Sequence, residues 1–233
     1  MNEGKIIRVK DIEVLVYKKN IKNFHLNVLP PNGKIRVSVP ENVSDDAVRL
    51  FIIKKYHWIK KHIKSFQEQE RQTKRRYVSG ESHYFKGKRY ILRIGYANRP
   101  KIEMKNKKYI YFYVPEHYNI QQRQNYYEKW LRKELKKELD ILVPKWEKII
   151  GVKVNEVRIK KMKTKWGSCN PDDKRIWINL ELIKKPTKYL EYIIVHELVH
   201  LLERKHNRKF KDTMDKYLPK WEIHRRQLNE FIL

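Results

Sequence analysis

The residues best placed to do chemistry are His196, Glu197 and His200, which form a His-Glu-x-x-His motif inside the run Tyr192-Ile193-Ile194-Val195-His196-Glu197-Leu198-Val199-His200-Leu201-Leu202. On a helix, a spacing of four brings both imidazoles onto one face, where they can converge on one metal ion while Glu197 points at a bound water. Such an arrangement suits hydrolysis. Zinc acidifies its water and polarises a scissile carbonyl, and the carboxylate takes the proton and returns it to the leaving amine. Leu190, Ile193, Ile194, Leu198, Leu201 and Leu202 predict a buried helix, so unpartnered imidazoles there would be costly and a metal would satisfy them. The plainer alternative is two histidines with ordinary hydrogen bonds.

A catalytic zinc site needs a third protein ligand and an open position. His206 is the first candidate, six residues after His200, the interval of the His-Glu-x-x-His-x-x-Gly-x-x-His arrangement. Glu203 stands where that pattern has Gly, so the turn is expected elsewhere, at Lys205 or Asn207. Glu203, Asp212 and His224 are the rival third ligands. For the charge developing on a scissile oxygen, Lys165, Tyr217 and His224 are available and unranked.

These residues need elements to hold them. Residues 5–18, 24–29 and 33–39 read as strands of an antiparallel meander, with a turn at Pro30-Pro31-Asn32-Gly33. Ser44-Asp45-Asp46 opens a helix whose apolar positions are Val48, Phe51, Ile52, Ile59, Ile63 and Phe66, and polar residues 67–76 end it. Strand signals recur at 84–94 and 101–114. Residues 121–150 read as a long helix stopped by Gly151. Strand candidates 152–161 and 175–180 flank Lys165-Trp166-Gly167-Ser168-Cys169-Asn170-Pro171, and Pro186-Thr187 opens the motif helix. No internal repeat is visible. The expected architecture is α+β: an antiparallel, β-rich N-terminal unit with a helix (residues 1–118), packed on a C-terminal catalytic unit (residues 119–233).

Within the flanked loop, Gly167 permits close backbone approach, Trp166 supplies buried area, and Ser168 can hydrogen-bond a loop or a metal-bound histidine. Cys169, the single cysteine, excludes an internal disulfide and fits a reducing cytoplasm; a packed thiol is the simpler reading of it. Strand 175–180 could bind an extended peptide at its edge. The stripes Tyr109-Tyr111-Tyr113 and Tyr126-Tyr127-Trp130 could stack bases, although such spacings more often mean sheet and core packing.

Composition bounds the partners. In 233 residues, 55 Lys+Arg against 27 Asp+Glu give a net charge of +28, spread along the chain, with lysine outnumbering arginine. Such a field attracts nucleic acid or other acidic partners loosely, and it arises equally from solvated lysine-rich faces. Apolar stretches are far shorter than the roughly 20 residues of a membrane helix, and the N-terminus shows no secretory signal. The expectation is a cytoplasmic protein without a membrane partner.

Trp166-Gly167-Ser168-Cys169, Ile178-Asn179, the motif from His196 to His200, and His206 with Phe210 together resemble the YgjP-like metallopeptidase family, relatives of the SprT-like zincins. Residues 23–39, Lys54-Lys55-Tyr56-His57-Trp58-Ile59 and Tyr77-Val78-Ser79-Gly80-Glu81 are similar as well, so the resemblance spans nearly the whole chain. It implies a zincin core with one Zn2+ on His196, His200 and His206, Glu197 as catalytic acid/base, and a peptide or protein substrate. Trp166, Gly167, Ser168 and Asn179 become candidates for supporting the site or facing the substrate. The chain departs from the family pattern at Lys205, commonly Asn, and Lys211, commonly Trp. The alternative is a basic nucleic-acid-associated accessory protein, DNA-linked or restriction-modification-associated, with a structural or degenerate zinc site.

Overall fold

A strand's two-residue period puts Ile12, Val14 and Val16 of Ile12-Glu13-Val14-Leu15-Val16 on one face, and these three are the buried set. A computed structural model describes residues 4–29, 33–68 and 75–230, with the side chains of 65–68 outside that description. Pro30, Pro31 and Asn32 of the expected turn, the Phe66 side chain and residues 69–74 therefore lie outside the described residues, as do residues 1–3. The chain divides into two compact units, Met1–Gln72 and Thr73–Leu233.

The first unit contains β1 (Lys5–Val9), β2 (Ile12–Lys19), β3 (His25–Leu29), β4 (Lys34–Pro40) and α1 (Asp45–Glu68). Its sheet order is β1-β2-β4-β3, and β2 pairs with β4 in parallel. This corrects the expected antiparallel meander. β4 alternates Ile35, Val37 and Val39 on a wholly buried face and takes a central place, while the more polar β3 is left at the edge. Ser44 Oγ accepts from the Ala47 N–H, 3.3 Å away, and α1 buries Val48, Ile52 and Ile59 in the same core as Val14 and Val37.

The second unit opens with β5 (Ser82–Phe85), β6 (Lys88–Tyr96), β7 (Lys101–Lys105), β8 (Tyr109–Val114) and α2 (Ile120–Ile150). The order is β5-β6-β8-β7, again with the second and fourth strands parallel. A ββββα arrangement thus occurs twice, a topological repeat that no sequence similarity announces. Lys86 and Gly87 (φ 48° and 78°) form a two-residue turn with both central positions left-handed, which matches the twist of the strands it joins. Leu92, Ile110, Phe112 and Val114 pack into one core with Tyr127, Leu131 and Leu135 of α2. That shared core is why the chain divides near residue 72 and not after 118: strands 82–114 need α2 to cover their apolar face.

After Gly151, which caps α2 with φ 80°, come β9 (Glu156–Lys160), β10 (Gly167–Asn170) and β11 (Arg175–Asn179). A short 3-10 turn and α3 (Thr187–Val199), α4 (Arg208–Tyr217) and α5 (Trp221–Asn229) complete the unit. The small sheet runs β10-β11-β9, so β10 is an edge and β11 is paired on both sides. Glu191 of α3 accepts from the Trp146 indole (2.9 Å) and Lys145 (2.8 Å) of α2, which fixes how the motif helix lies on the long one. Among the described residues no helix is long and apolar enough to cross a membrane.

Two neighbours on α1 test its buried face. Ile52→Ala removes a fully buried side chain and is expected to cost about 2–5 kcal/mol in urea unfolding, whereas Ile53→Ala, at a position 47% exposed, should stay within about 0.5 kcal/mol. Equal losses would mean the helix faces its sheet differently.

Candidate active site

α3 is apolar nearly all round: Leu190, Ile193, Ile194, Val195, Leu198 and Val199 are all buried. His196 and His200 are one turn apart on its cleft side, with ring centroids 4.9 Å apart. The helix ends at Val199, and the chain returns through residues 200–207 without any left-handed residue. The turn therefore makes no demand for glycine, and Glu203 fits where the motif has Gly. Neither Lys205 nor Asn207 takes a left-handed turn. Asn207 instead caps α4, accepting from the Phe210 N–H at 3.0 Å.

This return carries His206 to the motif. Its Nε2 lies 3.0 Å from His196 Nε2, and one ring nitrogen from each of His196, His200 and His206 falls within 4.8 Å of the others. Among the described residues no other group of three or more His, Cys, Asp or Glu converges this way. Phe210 lies against all three rings, with centroids 5.0, 4.8 and 4.7 Å from His196, His200 and His206. His200 Nδ1–H donates to the Glu203 carbonyl at 3.0 Å, leaving its Nε2 lone pair available. His196 Nδ1 is buried without a hydrogen-bond partner. Burial holds all three imidazoles below their ordinary pKa, His196 down to about 3, and for His196 and His206 the Arg225 charge acts in the same direction. Three neutral imidazoles with converging lone pairs fit a divalent cation of borderline softness.

Glu197 is only 5% exposed. Burial pushes its carboxyl up to about 8, while the Lys165 ammonium draws it back. Gly167 on β10 lies directly against it: a Cβ there would stand 2.5 Å from Glu197 Oε1 and 2.8 Å from Ile193 Cγ2. Beside these groups opens a cleft of about 350 Å³, whose walls include Lys165, Gly167, Ser168, Cys169 and Arg204.

A family model for the YgjP-like metallopeptidase domain matches residues 22–231. The chain belongs to the YgjP-like metallopeptidases. Both units lie largely within the match. Two solved structures align over part of the chain. The metallopeptidase zymogen abylysin of Pyrococcus abyssi is 20% identical over 39% of this chain and 90% of its own, with a TM-score of 0.37. The metallopeptidase zymogen jannalysin of Methanocaldococcus jannaschii is 23% identical over 38% and 94%, with a TM-score of 0.34. No curated protein matches the chain significantly.

In this YgjP-like chain the remaining candidates separate clearly. Ser168 lines the cleft, whereas Trp166 packs on the core and its carbonyl accepts from the Asn179 N–H at 2.9 Å. Asn179 is fully buried, and none of its side-chain hydrogen bonds goes to a site histidine. Its side-chain amide donates to the carbonyls of Met162 (2.9 Å) and Lys165 (2.7 Å) and its Oδ1 accepts from the Glu181 N–H (3.2 Å), so it pins the loop that carries Lys165. The edge strand beside the cleft is β10, not strand 175–180, because β11 has neighbours on both sides. Burial and the Glu197 charge push the Cys169 thiol up to about 12, which leaves it inert as a nucleophile.

Of the three oxyanion donors considered, only Lys165 faces the cleft. Tyr217 donates to the Ile150 carbonyl at 3.4 Å, and the His224 ring packs against Tyr189 and Tyr192. Glu203 Oε1 accepts from the Lys205 N–H (3.3 Å) and Asp212 pairs with Arg208 (4.0 Å), and neither carboxylate converges with the three histidines. Sequence reasoning missed Arg204, which reaches the cleft while paired with Asp172 of the β10–β11 turn, and the packing role of Phe210. The Asn207-x-x-Phe210 spacing, a helix start with an apolar residue in its first turn, is the signal that could have found the latter.

Gly167→Ala probes the contact between β10 and the motif helix. Since the glycine's φ is not left-handed, the cost is overpacking alone, and a loss of about 1–3 kcal/mol in thermal or urea unfolding is expected. An unchanged stability would show that Glu197 and Ile193 can move aside freely.

Proposed function

We propose that this chain is a zinc-dependent metallopeptidase in which His196, His200 and His206 hold the ion and Glu197 is the acid/base. The observation carrying this reading is the convergence of three neutral imidazoles on one point beside a buried carboxylate and an open cleft. A structural zinc site closes with four protein ligands, whereas three donors and an open side are the pattern of a catalytic one. This favours the enzyme over an accessory protein with a structural ion. Bound zinc acts as a Lewis acid, polarising a carbonyl oxygen and acidifying water.

The chain's own residues supply the rest. Glu197 takes a proton from the attacking water and returns it to the leaving amine nitrogen, and its burial beside the histidines holds the carboxyl at that point. Lys165, on the loop pinned by Asn179, brings a cation to the side of the cleft where negative charge develops. Edge strand β10 offers main-chain groups to an extended peptide, which fits a peptide or protein substrate held by strand addition.

Elemental analysis of untagged protein is the decisive measurement. About one zinc per chain is expected in wild type and in Glu197→Gln, with marked loss in His206→Ala. Folded, zinc-supplemented wild type without bound zinc would overturn the reading. In peptide hydrolysis, Glu197→Gln should lower kcat by about 10²-fold or more with zinc retained; undiminished turnover would remove Glu197 from the mechanism.

A further inference from the structure

The sheet of β5 to β8 has an outward face that the candidate site does not use. On β8, Ile110, Phe112 and Val114 are wholly buried, and the alternate residues Tyr109, Tyr111 and Tyr113 lie half-exposed on the opposite face. The other stripe, Tyr126-Tyr127-Trp130, is core packing: Tyr127 is buried and Trp130 stacks on Phe85 at 5.2 Å. The β8 tyrosines form a ladder. Tyr109 and Tyr111 have centroids 6.1 Å apart, and Tyr111 and Tyr113 are 6.4 Å apart with planes within 17° of parallel. Opposite Tyr113 stands Gly95, where a Cβ would meet the ring at 2.8 Å. Glycine lets one edge of that ring come down against the backbone.

Cations line both flanks. The Arg93 guanidinium lies 5.1 Å from the Tyr109 ring, Lys108 lies 5.4 Å from Tyr109, and Lys105 lies 5.4 Å from Tyr111. The one acidic residue on the four strands, Glu103, is engaged by Lys101 and by Lys105 (3.3 Å). A merely solvated face would account for the charge, but not for a row of rings set among cations. An acidic peptide would satisfy the cations and leave the rings unused.

We propose that this face binds a single strand of DNA, with bases stacking on Tyr109, Tyr111 and Tyr113 and phosphates following Arg93, Lys101, Lys105 and Lys108. Every base has a π-face that an aromatic platform can take once it is out of the duplex, and backbone charge is met by the flanking cations. Stacking on rings and pairing with backbone charge make no use of a 2′-hydroxyl, and a DNA strand, which lacks one, supplies both. The inference is independent of the peptidase reading, which uses other elements.

Fluorescence anisotropy with a labelled oligothymidylate of about 15 nucleotides tests it on the full chain. Tyr111→Thr and Tyr113→Thr keep the net charge and strand propensity and should each weaken binding by about tenfold, while Tyr111→Phe retains the ring and the affinity. Circular dichroism and an unchanged Tm establish that the Thr variants are folded. A duplex of the same length should bind more weakly than the single strand. Thr variants that bind like wild type would show attraction by the general +28 field alone and overturn the proposal; so would tighter binding of oligouridylate or of the duplex.

Discussion

Everything around the candidate site follows from bringing three imidazoles, two half-buried and one exposed, to one point beside a buried carboxyl at the edge of the core. Polar groups in such a place are tolerated only if they share a partner or are held so that none is charged without compensation. α3 is accordingly apolar over most of its surface, and its direction is set by Glu191 on Trp146 and Lys145. Phe210 closes the histidine rings from the far side, and Gly167 lets β10 approach Glu197 more closely than any side chain would allow. Each contact acts on the same few atoms, so the site's precision comes from crowding at one end of one helix.

The loop before β10 shows how support extends outward. Asn179 sits at the end of the central strand β11 and caps the following 3-10 turn, yet its side chain also binds two carbonyls of the 162–165 segment. A single buried amide thereby couples a strand end, a turn and the position of Lys165. Arg204 and Asp172 join the two loops at the mouth of the cleft on the exposed side, where an ion pair orients more than it stabilises.

The twofold occurrence of ββββα gives the chain two sheets of one topology put to different uses. In the first unit α1 covers the sheet and the arrangement ends there; in the second, α2 covers the sheet with one part of its length and supports α3 through Trp146 with another. The extra length of α2 is what lets a β-sheet unit carry a helical one. Local signals for these elements were strong: Ser44, Gly151 and Pro186 mark helix ends where the structure has them. Strand order was not legible, because β4 wins its central place by comparison with β3, and a comparison between strands is not a property of either.

By itself the sequence determined the motif on a helix, the two histidines sharing a face, and the apolar setting that makes them expensive to leave unpartnered. These depend on residue type and on the 3.6-residue period, both local quantities. It also listed His206, Lys165, Gly167 and Asn179 among the residues to watch without separating their roles. Only the tertiary structure decided that residues 200–207 turn back without a left-handed residue, that β10 rather than strand 175–180 is the edge beside the cleft, and that strands 82–114 belong with α2. The physical reason is common to all three. Which edge stays open, which donor reaches the cleft and which sheet a helix covers are settled by burial shared among segments far apart in the chain, and that sharing exists only once they have packed.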